Sequence, residues 1–163
     1  MAVAINVAGL ASVYVDTGGS NALELLGYTR NGVDITDNGY FLDVHTDVDG
    51  GDDGPPTDVQ YLGGTITIRM EFTKYDDAIR AKIDTRLYGG TSGVNGAVGS
   101  LMRGGAKTYR LVINTPTTPY NFPIVIFRDP YELNKGTKFS TLVVIGTAYA
   151  DSTTRVVRNA TVA

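Results

Sequence analysis

Six aspartates crowd one short stretch of this chain. Residues 43–58 read DVHTDVDGGDDGPPTD, and Asp43, Asp47, Asp49, Asp52, Asp53 and Asp58 offer hard oxygen ligands of the kind calcium accepts. The spacing does not fit an EF-hand loop. Counted from Asp47, the third ligand position holds Gly51, the glycine position holds Asp52, and the last holds Asp58 in place of a bidentate glutamate. Three readings of the stretch stay open: an acidic solvated loop, a repulsive or docking surface, and a calcium site. Gly50, Gly51, Gly54, Pro55 and Pro56 predict an extended excursion between strands and not a compact hairpin.

Other chemistry is sparse. His45 is the single histidine, so no multi-histidine metal site can form and a Ser-His-Asp arrangement has one candidate base; its place beside Thr46 and Asp47 predicts a surface residue at a strand end. No G-x-S-x-G elbow occurs. Arg103-Gly104-Gly105-Ala106-Lys107 lacks the spacing and the hydroxyl of a phosphate-cradling loop. The three glutamates, Glu24, Glu71 and Glu132, single out no carboxylate pair for glycoside hydrolysis. With no cysteine there is neither a disulfide framework nor a thiolate ligand set. The reading is of a protein that is not an enzyme and holds no cofactor.

Charge is more informative. Residues 1–60 hold ten acids against Arg30, a net of −9, while residues 61–163 hold seven acids against thirteen Lys or Arg, a net of +6. If folding sends these segments to different faces, each copy presents an acidic and a basic surface, which favours head-to-tail association. Arg69, Lys74, Arg80, Lys82, Arg86, Arg103, Lys107 and Arg110 are dispersed, and the isoelectric point near 5.0 opposes tight phosphate binding. Tyr14, Tyr28, Tyr40, Tyr61 and Tyr88 fall near element ends, where a ring buries while its hydroxyl stays wet, a habit of interfaces and cores alike. No apolar run approaches the ~18 residues that cross a bilayer, so a soluble, untargeted protein is expected.

The elements that must position these residues are mainly strands. Ile66, Ile68, Met70 and Phe72 alternate with Thr65, Thr67, Arg69 and Glu71 at the period of a half-buried strand. Tyr109, Leu111 and Ile113 repeat the pattern, and the runs 124–127 and 142–145 suit strands covered on both faces. Asn31-Gly32 predicts a type I′ hairpin turn between 25–29 and 33–35, and Asn134-Lys135-Gly136 a reversal between 122–132 and 138–149. One helix is predicted around residues 75–88. Thr73 would cap it, Asp76 would favour its positive end, Ile79, Ile83 and Leu87 would form its apolar stripe, and Gly89-Gly90 would end it. Seven glycines in 89–105 predict a loop that orders on contact. The expectation is a single domain over 1–163, mainly β, of antiparallel sandwich or barrel-like sheets with one flanking helix and long loops at about 43–58, 89–105 and 114–123.

The order of segments resembles a family. The stretch Leu25-Leu26-Gly27-Tyr28-Thr29-Arg30-Asn31-Gly32-Val33-Asp34-Ile35, the acidic loop, Val59-Gln60-Tyr61-Leu62-Gly63-Gly64 leading into the alternating strand, the helix and the strands around 139–149 together resemble virion structural proteins of tailed bacteriophages, most of all tail tube proteins. The resemblance covers roughly residues 20–150 and rests on pattern, not on an invariant signature. It implies a β-sandwich with a flanking helix, six copies to a ring, and rings stacked into a tube that conducts DNA without binding it specifically. It further implies hairpins joining those of neighbours into an inner barrel, a long loop docking on the adjacent ring, partners such as a sheath or tail terminator, no membrane, and a virion assembled in the bacterial host cytoplasm. Asp43, Asp47, Asp49, Asp52 and Asp53 would line an acidic lumen or reach a basic surface of the next ring. The glycine loop and the 116–130 insertion depart from shorter family members and leave room for a capsid decoration (cement) protein or a head-to-tail connector. A calcium- or carbohydrate-binding β-sandwich is the remaining reading.

Overall fold

Local alternation fixes which way each strand faces, and pairing then decides how the strands close. The computed structural model describes residues 10–17, 22–83, 108–116, 119–127, 132–135 and 140–150. Its strands are β1 (Ser12–Asp16), β2 (Leu23–Val44), β3 (Asp58–Tyr75), β4 (Tyr109–Asn114), β5 (Pro119–Ile126), β6 (Glu132–Lys135) and β7 (Ser140–Tyr149), with one helix, α1 (Asp77–Ile83). All described pairings are antiparallel, in the order β3-β2-β1-β4-β5-β7-β6, and β3 also pairs with β7. That extra ladder, from Thr65↔Tyr149 to Phe72↔Leu142, closes six strands on themselves. The fold is mainly antiparallel β with one helix, and of the two forms expected it takes the barrel, which removes sheet edges by closure.

The core follows the alternation. Ile66, Ile68, Met70 and Phe72 are buried, as are Tyr109, Leu111 and Ile113, while Arg69 between them is exposed. They join Val13, Val15, Leu26, Phe122, Val125, Leu142, Val144 and Ala148 in one apolar cluster. Burying each large side chain contributes about 1.5–3 kcal/mol. Ile79 and Ile83 bring α1 into the same cluster; Leu87 lies outside the described residues. Lys82 Nζ meets Glu24 Oε1 at 2.9 Å, and Tyr109 donates its hydroxyl to the Lys82 carbonyl at 3.1 Å, so the helix is tied to β2 and β4 by polar contacts as well. Hydrogen bonds first from the Thr17 hydroxyl and then from Lys82 hold the Glu24 carboxyl below its ordinary value.

Several local expectations are corrected. Asn31-Gly32 does not turn a hairpin: both flanks pair with β3, Thr29 with Phe72 and Val33 with Met70, so residues 30–32 bulge out of one continuous strand. Gly32 has the positive φ the motif demands, 86°, but uses it for a bulge. The α1 cap is Asp76, not Thr73. Strand β3 runs on through Thr73 to Tyr75, and Asp76 Oδ1 accepts the amides of Ala78 and Ile79 at 2.9 and 3.1 Å. The loop expected over 114–123 is shorter, because β5 begins at Pro119. Strands β6 and β7 do pair as the Asn134-Lys135-Gly136 reversal requires, with Lys135 opposite Ser140, so Asn134 and Lys135 end a strand; residues 136–139 lie outside the described residues. The glycine-rich segment 89–105 lies outside the described residues.

Candidate functional site: a projecting β-hairpin

Strands β2 and β3 are far longer than the barrel needs. β1 covers the outer edge of β2 only over residues 23–28, and β7 covers that of β3 only over 65–72. Beyond those limits Asn38–Val44 pairs with Asp58–Thr65 and, among the described residues, with no other strand. Seven residues of ladder at ~3.3 Å each project about 23 Å, and among the described residues no strand pairs with either outer edge. We call residues 38–65 the arm.

The tip corrects another expectation. Residues 45–57 are not an extended excursion but fold into two successive 3-10 turns, Asp47–Asp49 and Gly51–Asp53. Gly50 and Gly51, at φ 102° and 64°, supply two left-handed positions in a row. The Gly51 amide donates to the Thr46 carbonyl at 3.1 Å, the Thr57 amide to the Val44 carbonyl at 2.8 Å, and the Thr46 and Thr57 hydroxyls meet at 2.9 Å. His45, at the end of β2 as expected, places Nδ1 3.2 Å from the Gly51 carbonyl oxygen. A pinned tip of this kind carries Val48 outward, 94% exposed.

The sequence-predicted acids all fall on the arm. Asp43 lies on β2; Asp47 and Asp49 belong to the first turn, Asp52 and Asp53 to the second, and the side chains of Asp43, Asp47, Asp52 and Asp53 are exposed. The fold gathers them on one element without converging them: among the described residues no three carboxylate or imidazole groups are placed to hold a metal ion. Asp58 turns its Oδ1 to the Val59 amide at 2.7 Å.

Beside these acids stands an apolar set that sequence reasoning largely missed. Apart from Leu10, every large hydrophobic residue exposed among the described residues lies between Tyr40 and Leu62: Tyr40, Phe41, Leu42, Val44, Val48, Val59, Tyr61 and Leu62. Tyr40 and Tyr61 were legible as interface-suited tyrosines. The run Tyr40-Phe41-Leu42 directly before an acidic stretch was the available signal, since an unbroken apolar run asks for cover on both faces. Phe41 and Tyr61 pair across the ladder with ring centroids 5.3 Å apart. At the opposite end of the same two strands an open cleft of about 350 Å³ is lined by Leu25, Leu26, Tyr28, Lys74, Tyr75 and Ile79, and offers no cluster of reactive groups.

No family model matches the sequence, and no curated protein matches it. A solved structure does share its fold. A chain in the tail of an empty gene transfer agent particle, determined by helical refinement with C6 symmetry, superposes with a TM-score of 0.53 at 12% identity, over 93% of this chain and 95% of that one. A chain of the native gene transfer agent virion gives 0.49 at 9% identity, over 84% and 88% of the two chains.

Proposed function

We propose that this chain is a structural subunit of a phage-like virion tail: a tail tube protein whose copies close into rings, six to a ring, that stack into a tube conducting DNA. The observation that carries the reading is the arm, which among the described residues leaves two strand edges unpaired and a row of large apolar side chains exposed, on a barrel whose other strands close on themselves. A monomer gains nothing from such an element, and bare edges are an aggregation liability unless neighbours cover them in a defined way. The near end-to-end likeness to a tail chain from a C6 particle supports both the tail and the sixfold ring.

Function in this reading is geometric. Rings position the lumen, arms lock one copy to others, and of the two roles open to Asp43, Asp47, Asp49, Asp52 and Asp53 the projecting arm favours steering toward basic surface of a neighbouring copy over lining the lumen. DNA would pass without specific binding, and sheath or terminator proteins would meet the outside and the end of the tube. Sedimentation velocity of the purified chain over a range of concentration and salt tests the reading. Discrete multimers that grow with concentration are expected; a monomer under every condition would overturn it.

A further inference from the structure

The chain carries three Asn-Gly steps, Asn31-Gly32, Asn38-Gly39 and Asn95-Gly96, the last outside the described residues. An asparagine before glycine can react with its own backbone: the next amide nitrogen reaches the side-chain carbonyl carbon and closes a five-membered ring, provided the pair is free to rotate and no side chain crowds the approach. The fold treats the two described steps differently. Residues 30–32 have no register partner on β3, the flanking pairs being Thr29↔Phe72 and Val33↔Met70. Asn31 is exposed, Gly32 sits at φ 86°, and among the described residues nothing beyond its chain neighbours lies within 4 Å of where a Cβ on Gly32 would stand. Asn38-Gly39 is held instead. Asn38 pairs with Thr65 and Gly39 with Gly64, Asn38 Nδ2 donates to Thr67 Oγ1 at 3.0 Å, and the Phe41 ring lies over Gly39, 2.6 Å from where a Cβ would be.

We propose that Asn31 is a self-modification site, converting to aspartate and isoaspartate without an enzyme, while the ladder protects Asn38. The Gly32 amide nitrogen, losing its proton, bonds to Asn31 Cγ; the Cγ–Nδ2 bond breaks and the side-chain nitrogen leaves as ammonia. Water then opens the succinimide at either carbonyl, giving an aspartyl link or an isoaspartyl one that carries the side-chain methylene in the main chain. The bulge tolerates both products. An extra backbone atom among residues without a ladder partner shifts no register, whereas at Asn38 it would displace the pairing of the strand toward the tip. The new carboxylate stands next in the chain to Arg30, whose guanidinium reaches Glu71 at 3.9 Å, so the added negative charge falls beside a cation.

The test incubates the dilute full chain at pH 9 and 37 °C, folded or unfolded in guanidinium, and follows each Asn-Gly step by fragment-ion mass spectrometry, where loss of ammonia and gain of water leave one added mass unit. Relative to the unfolded chain, folding should slow Asn38 at least tenfold more than Asn31, and Asn31 should convert more slowly at pH 6 than at pH 9, as attack by a deprotonated amide requires. Equal protection of the two steps, or an Asn31 that stays intact in the folded chain, would overturn the proposal. Asn31→Asp reproduces one product and should melt with wild type; a lower melting temperature would overturn the tolerance assigned to the bulge.

Discussion

The ring of Phe41 packs against that of Tyr61 across the β2–β3 ladder, centroids 5.3 Å apart and tilted by 51°, with both rings lying back over a pair of glycines. Gly39 and Gly64 face each other two pairs along the ladder, where a Cβ on the first would come 2.6 Å from the Phe41 ring and on the second 2.9 Å from the Tyr61 hydroxyl. The aromatic pair thus stiffens the part of the arm that, among the described residues, has no neighbouring strand. Being largely exposed, it contributes to the fold mainly through this one contact.

Phe41→Ala should consequently separate folding from assembly. An aromatic pair adds about 0.5–1.5 kcal/mol beyond area burial, so chemical denaturation of the monomer should register a loss of that order. The concentration at which multimers form should rise at least tenfold by sedimentation. Equal assembly by the variant would remove the ring from the interface.

Gly27 presents the opposite case. A Cβ there would collide with the Lys74 carbonyl oxygen and sit 2.9 Å from the Tyr75 Cα, backbone atoms that cannot swing aside. Gly27→Ala should destabilise the monomer by about 1–3 kcal/mol, the range of overpacking in a well-packed structure, measured by urea unfolding. Gly39→Ala, which meets only the far edge of an exposed ring, should be nearer neutral.

Loss of the helix cap is a third test. Asp76→Ala leaves the Ala78 and Ile79 amides without their acceptor and should cost about 1 kcal/mol, whereas Asp76→Asn keeps an oxygen in place and should recover most of it. An unchanged melting temperature in Asp76→Ala would contradict the cap assignment.

Burial pushes the Tyr109 hydroxyl up from 10.0 to about 12. The folded state therefore holds that proton more tightly than the unfolded one, so the contribution is complete below pH 10 and is lost as pH rises through about 12. Wild-type stability should fall more steeply across this window than that of Tyr109→Phe. At neutral pH the variant should lose about 1 kcal/mol for the missing bond to the Lys82 carbonyl. Parallel alkaline profiles would contradict the assignment.

Where periodicity governs, the sequence reads true: Ile66 to Phe72 alternate because one face of a strand is buried, and local order suffices to see it. Asn31-Gly32 misleads because a positive φ serves a bulge as well as a turn, and only the distant partners Phe72 and Met70 decide between them. Thr73 misleads similarly, since β3 continues through it while the capping oxygen sits three residues on. The acids of the tip were legible as charge. That they ride on a hairpin beyond the barrel was not, because it depends on where β1 stops covering β2 among the described residues. Their exposed neighbours Phe41 and Leu42 look, in sequence, like ordinary core.

If the acids guide the arm to basic surface, assembly weakens with salt, because charges beyond about 8 Å are screened at physiological ionic strength. Replacing Asp47, Asp49, Asp52 and Asp53 together by Asn should weaken assembly at low salt and flatten its salt dependence, with the monomer still folded by circular dichroism. Assembly identical to wild type at every salt would remove the acidic tip from the mechanism.

The most direct measurement is negative-stain electron microscopy of the purified chain over a range of concentration and salt. Hollow rings with sixfold symmetry, or tubes of stacked rings, are expected. Isolated particles of one to three subunits in every condition would contradict a tube-forming role and shift the assignment to a decoration or connector protein that needs another partner's surface.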